Sequence, residues 1–212
     1  MNILSVSDVI IPFIYSPKIT EKFSDVDCVI GCGELPYYYQ EYIISNLNVP
    51  LFFVHGNHDP KLEYTDHGEY SQPRGGVNLH QRAVYYRGML IAGVEGSIRY
   101  NRGGLYQQTQ RQMWFSVFGL VPQLLWNRAR YGRYLDVFVT HASPWGIHDQ
   151  PDHPHVGIKA FRWFLSTFKP RIHLHGHIHV YRPDTITETQ FGETRVINTY
   201  GYKLTHLELS SS

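Results

Sequence analysis

The chain has 212 residues, enough to bury roughly 70% of its unfolded surface without a disulfide or metal staple. A hydrophobic fraction of 42% beside a charged fraction of 17% excludes a disordered chain. A net charge of +1 leaves no polyanion-binding footprint, so a nucleic-acid sheath would need a local basic patch.

The N-terminus, MNILSVSDVIIPF, lacks a basic flank and meets Asp8 early; it reads as a first strand, Asn2–Ser7, and not as a signal peptide. Ser16–Phe23 is weakly helical after Pro17. Val26–Gly31 is predicted as a buried strand, Tyr37–Leu47 as a helix whose tyrosines pack on a sheet, and Leu51–His55 as the next strand. Continuous apolar strands separated by helices point to βαβ units and a mostly parallel sheet. Gly56–Leu79 is polar and aperiodic, a loop long enough to serve a site.

Ala83–Arg87 and Met89–Val94 are predicted strands joined at Gly88. Met113, Trp114, Val117, Phe118 and Leu120 mark one face of a helix over Gln107–Leu120. Pro122 is expected to open a second helix carrying Leu124, Leu125 and Trp126, with Arg128, Arg130 and Arg133 solvated near its end. Leu135–Thr140 is a strand, followed by an irregular stretch to His155. Gly157–Phe168 is a helix, Arg171–His175 a strand, and the tail from Thr185 reads as β-hairpins ending near Leu209, with Ser210–Ser212 frayed. No apolar run approaches the roughly 18 residues a membrane span needs. Cys28 and Cys32 share one apolar stretch, which suits a reducing, cytoplasmic setting. One α/β domain over residues 1–212 is expected.

The polar residues collect at strand ends. Asp8 follows the first strand and Glu34, in GCGEL, the second. Asn57, His58 and Asp59, in GNHD, follow the third. His141 follows LDVFVT, and His177 and His179, in GHIH, follow RIHLH. In open α/β sheets ligands bind outside the carboxyl ends of strands, so five such endings point to one site. Taken singly, each element has a plainer reading: GNHD as a turn, Asp8 as a helix cap, His141 as a structural histidine. Imidazoles, a carboxamide and carboxylates together suit Mn, Fe or Zn. Two such ions clamp a phosphoryl group and acidify a bound water.

The series SDVI, GEL, GNHD, THASP and GHIH resembles the calcineurin-like metallophosphoesterase superfamily, whose motifs run Asp-x-His, Gly-Asp, Gly-Asn-His-Asp/Glu, a later His and Gly-His-x-His. The resemblance spans Asp8 to His179. It implies a four-layer α-β-β-α sandwich with two packed mixed sheets. It also implies hydrolysis of phosphomonoesters or phosphodiesters by in-line attack of a metal-bound hydroxide. Carried over, Asp8 and His179 hold a first metal, Asn57, His141 and His177 a second, and Glu34 bridges them. His58 stabilises the transition state or protonates the leaving oxygen, and Asp59 orients it.

Two positions depart from that pattern. Ile10 stands where the family has a ligating His, and Glu34 is one methylene longer than the usual Asp. The second metal site is therefore expected to be the stronger, the first weaker and exchangeable. Arg99, His148 and Asp149 are candidates for substrate binding, Arg99 because its guanidinium can fork onto phosphate oxygens. The expected partner is a small phosphate ester. Two other readings compete: a scaffold that keeps the fold and one metal without turnover, for which Ile10 and Glu34 speak, and a nuclease, against which the charge balance speaks.

Overall fold

Strands that are apolar on both faces need cover on both faces. The structure, a computed structural model that describes residues 1–65 and 68–209, supplies that cover in four layers. The first sheet has five strands in the order Gly201–His206, Asn2–Ser7, Cys28–Gly31, Leu51–Phe53 and Gly76–Asn78. All its neighbours run parallel except Gly201–His206, which pairs antiparallel with Asn2–Ser7. The second has six, in the order Glu188–Phe191, Thr194–Asn198, Ile172–His175, Val137–Thr140, Met89–Val94 and Arg82–Tyr86. Its inner four are parallel and both edge strands antiparallel.

The two-residue period of each strand assigns the layers. Ile3, Ile30 and Phe52 point inward and pack against Ile91, Val137, Val139 and Leu174 of the opposite sheet. Their neighbours Leu4, Val29, Leu51 and Phe53 point outward, onto Ile19 and Phe23 of one helix, Ile19–Phe23, and onto Tyr39 and Ile43 of another, Tyr37–Leu47. On the far side, Leu90, Ala92 and Phe138 meet the helices Gln110–Tyr131 and Lys159–Phe168.

Several sequence expectations change. A single helix, Gln110–Tyr131, replaces the two expected, with Pro122 inside it. The buried face at Val117, Leu120 and Leu124 continues unbroken past the proline, while Pro122 itself is exposed. The carbonyl it leaves unpaired can therefore turn to solvent. The helix starts later than expected because Thr109 and Gln112 form a capping box and Gln107–Gln108 pairs with Ser97–Ile98. Phe118, Leu125 and Trp126 face outward.

The Gly56–Leu79 segment is not all loop. Glu63–Thr65 pairs with Gly68–Tyr70, and Gly76–Asn78 adds an edge strand to the first sheet. The tail is not all hairpin either, because its last strand crosses to the first sheet and carries Leu207 into the central core. The fraying expected at Ser210–Ser212 lies outside the described residues. Arg133 is not simply solvated: its guanidinium pairs with the buried carboxylate of Asp136 at 2.8 Å.

Candidate metal centre

The parallel strands of both sheets end at one edge of the sandwich, where their loops are stitched together. Gly96 N–H donates to the His55 carbonyl at 2.8 Å, and Asp8 N–H donates to Gly33 at 3.2 Å. Three residues at these ends hold left-handed backbone that non-glycine residues seldom adopt: Asp8 (φ 65°), Glu34 (φ 59°) and His177 (φ 67°). Such conformations persist only where surroundings enforce them, and they cluster at functional sites. Here the Asp8 carboxylate accepts from His177 N–H at 3.0 and 3.2 Å, tying one sheet's loop to the other's.

Close approach demands glycine at two positions. A Cβ on Gly33 (φ 91°) would lie 2.5 Å from Gly56 N and 2.6 Å from His141 Nδ1. One on Gly56 would lie 2.5 Å from Glu34 Cγ. The backbone has been brought in until only hydrogen fits.

Around these turns the side chains converge. The ligand-capable atoms of Glu34, His141 and His177 lie within 4.8 Å of one another, and so do those of Asp8, Glu34 and His179. Glu34 belongs to both groups. His141 is fully buried, and its Nδ1 donates to the Cys32 carbonyl at 2.7 Å, which aims Nε2 at Glu34. His177 Nε2 donates to the Pro154 carbonyl at 2.9 Å, leaving Nδ1 its lone pair. Asn57 Nδ2 donates to the Tyr100 hydroxyl at 3.1 Å, so its Oδ1 is the free end of the amide.

Buried polar atoms are nearly always hydrogen-bonded, and each exception calls for a reason. Glu34 Oε1, Asn57 Oδ1 and His141 Nε2 are all buried without a hydrogen-bond partner. A carboxylate oxygen, an amide oxygen and an imidazole nitrogen share one natural partner, a divalent cation. The donor set thus fits the metal.

Without a cation, the charges of Glu34 and His141 are coupled to each other. Burial by itself would raise the Glu34 carboxyl, but His141 beside it outweighs burial and holds it at about 2. Burial likewise opposes charge on His141, yet Glu34 lifts it to about 9. His177 is driven down to about 3 by burial and then by His141. Burial also raises Asp8 and takes Asp59 to about 6.

The remaining expected residues divide. His58 stands at the rim, 68% exposed, with Nε2 3.9 Å from Glu34 Oε1. His179 is half-exposed, its Nε2 4.0 Å from Asp8. Asp59 is not placed to orient His58. Its carboxylate instead accepts from Gly56 N–H at 2.7 Å, so it braces the turn that carries Asn57. Arg99 does not reach the cluster, because its guanidinium is taken by the Gln107 carbonyl and the Gln112 side chain. Nor do His148 and Asp149: His148 bonds His175 Nε2 and Thr189, and Asp149 accepts from Gly157 N–H. Ile10 packs against the outer apolar cluster. The residue that sequence reasoning undervalued is Tyr100, beside Arg99; which neighbour points inward depends on the local turn, and no spacing rule reveals it.

The chain matches the family of calcineurin-like phosphoesterases over residues 1–181. It belongs to that family. As a calcineurin-like phosphoesterase it also shares its fold with solved structures. One crystal structure is 15% identical with a TM-score of 0.62, the alignment covering 99% of each chain. TT1561 of Thermus thermophilus is 15% identical with a TM-score of 0.60, covering 94% of this chain and 89% of that one. No curated relative matches this calcineurin-like phosphoesterase by sequence.

Proposed function

We propose that this chain, folded as one domain, is a metal-dependent hydrolase of phosphomonoester or phosphodiester bonds in a small molecule. The observation that carries the reading is the trio of buried, unpartnered atoms on Glu34, Asn57 and His141. Under this proposal Asn57, His141 and His177 would hold one cation, Asp8 and His179 another, and Glu34, common to both groups, would contribute to each. The first-site group has three ligands and a half-exposed His179, so it is the weaker. Cations such as Mn, Fe or Zn, when bound, supply Lewis-acid charge to phosphoryl oxygens and acidify water.

The protein's own groups do the rest. Glu34 and Asp8 present fixed anionic charge, and the enforced turns keep the donor atoms close before any ligand arrives. Under this reading His58, exposed at the rim 3.9 Å from Glu34, gives a proton from Nε2 to the departing oxygen. Two free, buried thiols suit a reducing, cytoplasmic setting, and no described helix is long and apolar enough to cross a membrane.

A scaffold without turnover is the second reading, and Ile10, packed into an apolar cluster where a ligand would stand, favours it. Hydrolysis of p-nitrophenyl phosphate and of its bis ester with added Mn distinguishes the two. The wild type should turn over at least one of them, and His58→Ala and His141→Ala should both be slower, His141→Ala by the larger factor because it removes a proposed metal ligand. Equal rates in all three proteins would remove the hydrolase reading. Metal content well below one ion per chain after supplementation would favour the scaffold.

A further inference from the structure

Resting on the hydrolase reading, we propose that Tyr100 is the positioning residue for His58, holding its imidazole over the Glu34 carboxylate. An imidazole that is 68% exposed would ordinarily sample several rotamers. Here one contact restrains it: the Tyr100 hydroxyl lies 3.0 Å from His58 Nε2. Among the described residues no other hydrogen-bond partner reaches that ring. The same hydroxyl accepts from Asn57 Nδ2 at 3.1 Å. One phenol therefore links the amide whose oxygen is free at the cluster to the nitrogen at the rim.

Tyr100 is itself held. The buried Gln107 side chain accepts from the backbone N–H groups of Tyr100 and Asn101 at 3.3 and 3.1 Å. Arg99, next in sequence, ties the same turn to Gln112 at the start of the long helix. The phenol is thus presented by a turn anchored to a capped helix, and the constraint passes outward from the core to an exposed ring. This is how supporting groups fix a reacting group within a fraction of an ångström. The Nε2 atom is shared at rest with the hydroxyl. A leaving-group oxygen approaching the Glu34 side meets the nitrogen already turned toward it.

Tyr100→Phe keeps the ring and removes only the hydroxyl, which makes it the informative change. A general acid matters most when the leaving group is poor. On phenyl phosphate kcat should fall about tenfold to a hundredfold, part of what general-acid catalysis contributes, with KM within about twofold. On p-nitrophenyl phosphate the fall should be smaller. Adding Tyr100→Phe to His58→Ala should cost no further rate on phenyl phosphate, and Mn stoichiometry should stay at the wild-type value.

An arm independent of turnover uses the metal-free protein. The His58 ring 15N shifts should report a hydrogen-bonded Nε2 in wild type and a freely solvated imidazole in Tyr100→Phe. Rate losses that multiply in the double variant, or equal losses on both esters, would overturn the proposal, as would unchanged 15N shifts. If the wild type hydrolyses neither ester while the shifts change as expected, the hydrolase reading fails and the Tyr100–His58 contact stands.

Discussion

His141 Nε2 lies 3.2 Å from Glu34 Oε1, and neither atom has a hydrogen-bond partner. Both atoms are buried, and His141 Nδ1 is held from behind by the Cys32 carbonyl. His141→Ala should therefore weaken Mn or Zn binding by roughly a hundredfold or more, since loss of even an outer supporting group costs 10–100-fold. Calorimetric titration and metal analysis would show it. Near-wild-type affinity would mean the ion does not sit on this nitrogen.

Asp59 offers a contrast, because its buried carboxylate is occupied by the Gly56 N–H and not left free. Asp59→Ala leaves the buried Gly56 N–H without its acceptor, a cost of about 1–3 kcal/mol. Metal affinity should fall about 10–100-fold as the turn carrying Asn57 loosens. Chemical denaturation and titration on the same variant test both effects, and loss of stability alone would separate the brace from the centre.

Gly33→Ala tests the close approach of the loops. The added carbon meets Gly56 N and His141 Nδ1 inside contact distance, at a backbone angle that alanine resists. A destabilisation of about 1–3 kcal/mol is expected together with weakened metal binding. An unchanged Tm with full metal content would show that the loops can part without consequence.

Acid sensitivity should come from a second histidine cluster behind the centre. Burial holds His173 down at about 3 and His148 at about 4, and His175 lies between them, bonded to His148 at 2.9 Å. In the unfolded chain these groups take protons below about 6.5, while the folded chain refuses them. Stability is thus fully present above that pH and is lost as pH falls toward 3, by up to about 1.4 kcal/mol per unit for each histidine. Urea midpoints of the metal-free protein at pH 7, 6 and 5 should fall, and His173→Gln should flatten the slope. Parallel slopes would assign the acid sensitivity elsewhere.

Much of this architecture is written locally. The period-2 runs around Ile3–Val6, Cys28–Ile30 and Leu51–Phe53 carry two apolar faces each, so they require cover on both sides. The strand-end motifs GNHD and GHIH name the chemistry, and the free atoms of Glu34, Asn57 and His141 agree with it. The helix across Pro122 was not legible, because a proline's local cost is overruled by a buried face that only packing reveals. The short strand Gly76–Asn78 carries no period of its own and exists because Leu51–Phe53 offers it an edge.

Sequence by itself determined the α/β class and the inventory of metal-capable side chains, which follow from periodicity and motif, and the family resemblance of those motifs implied the layer order. Tertiary structure alone decided which of those side chains face the cavity: it turned Asp59 onto the Gly56 N–H, drew Arg99 and His148 away and brought Tyr100 in. The reason is that direction at a turn is set by backbone torsions and by contacts between residues far apart in sequence, such as Asp8 with His177. No local pattern encodes them.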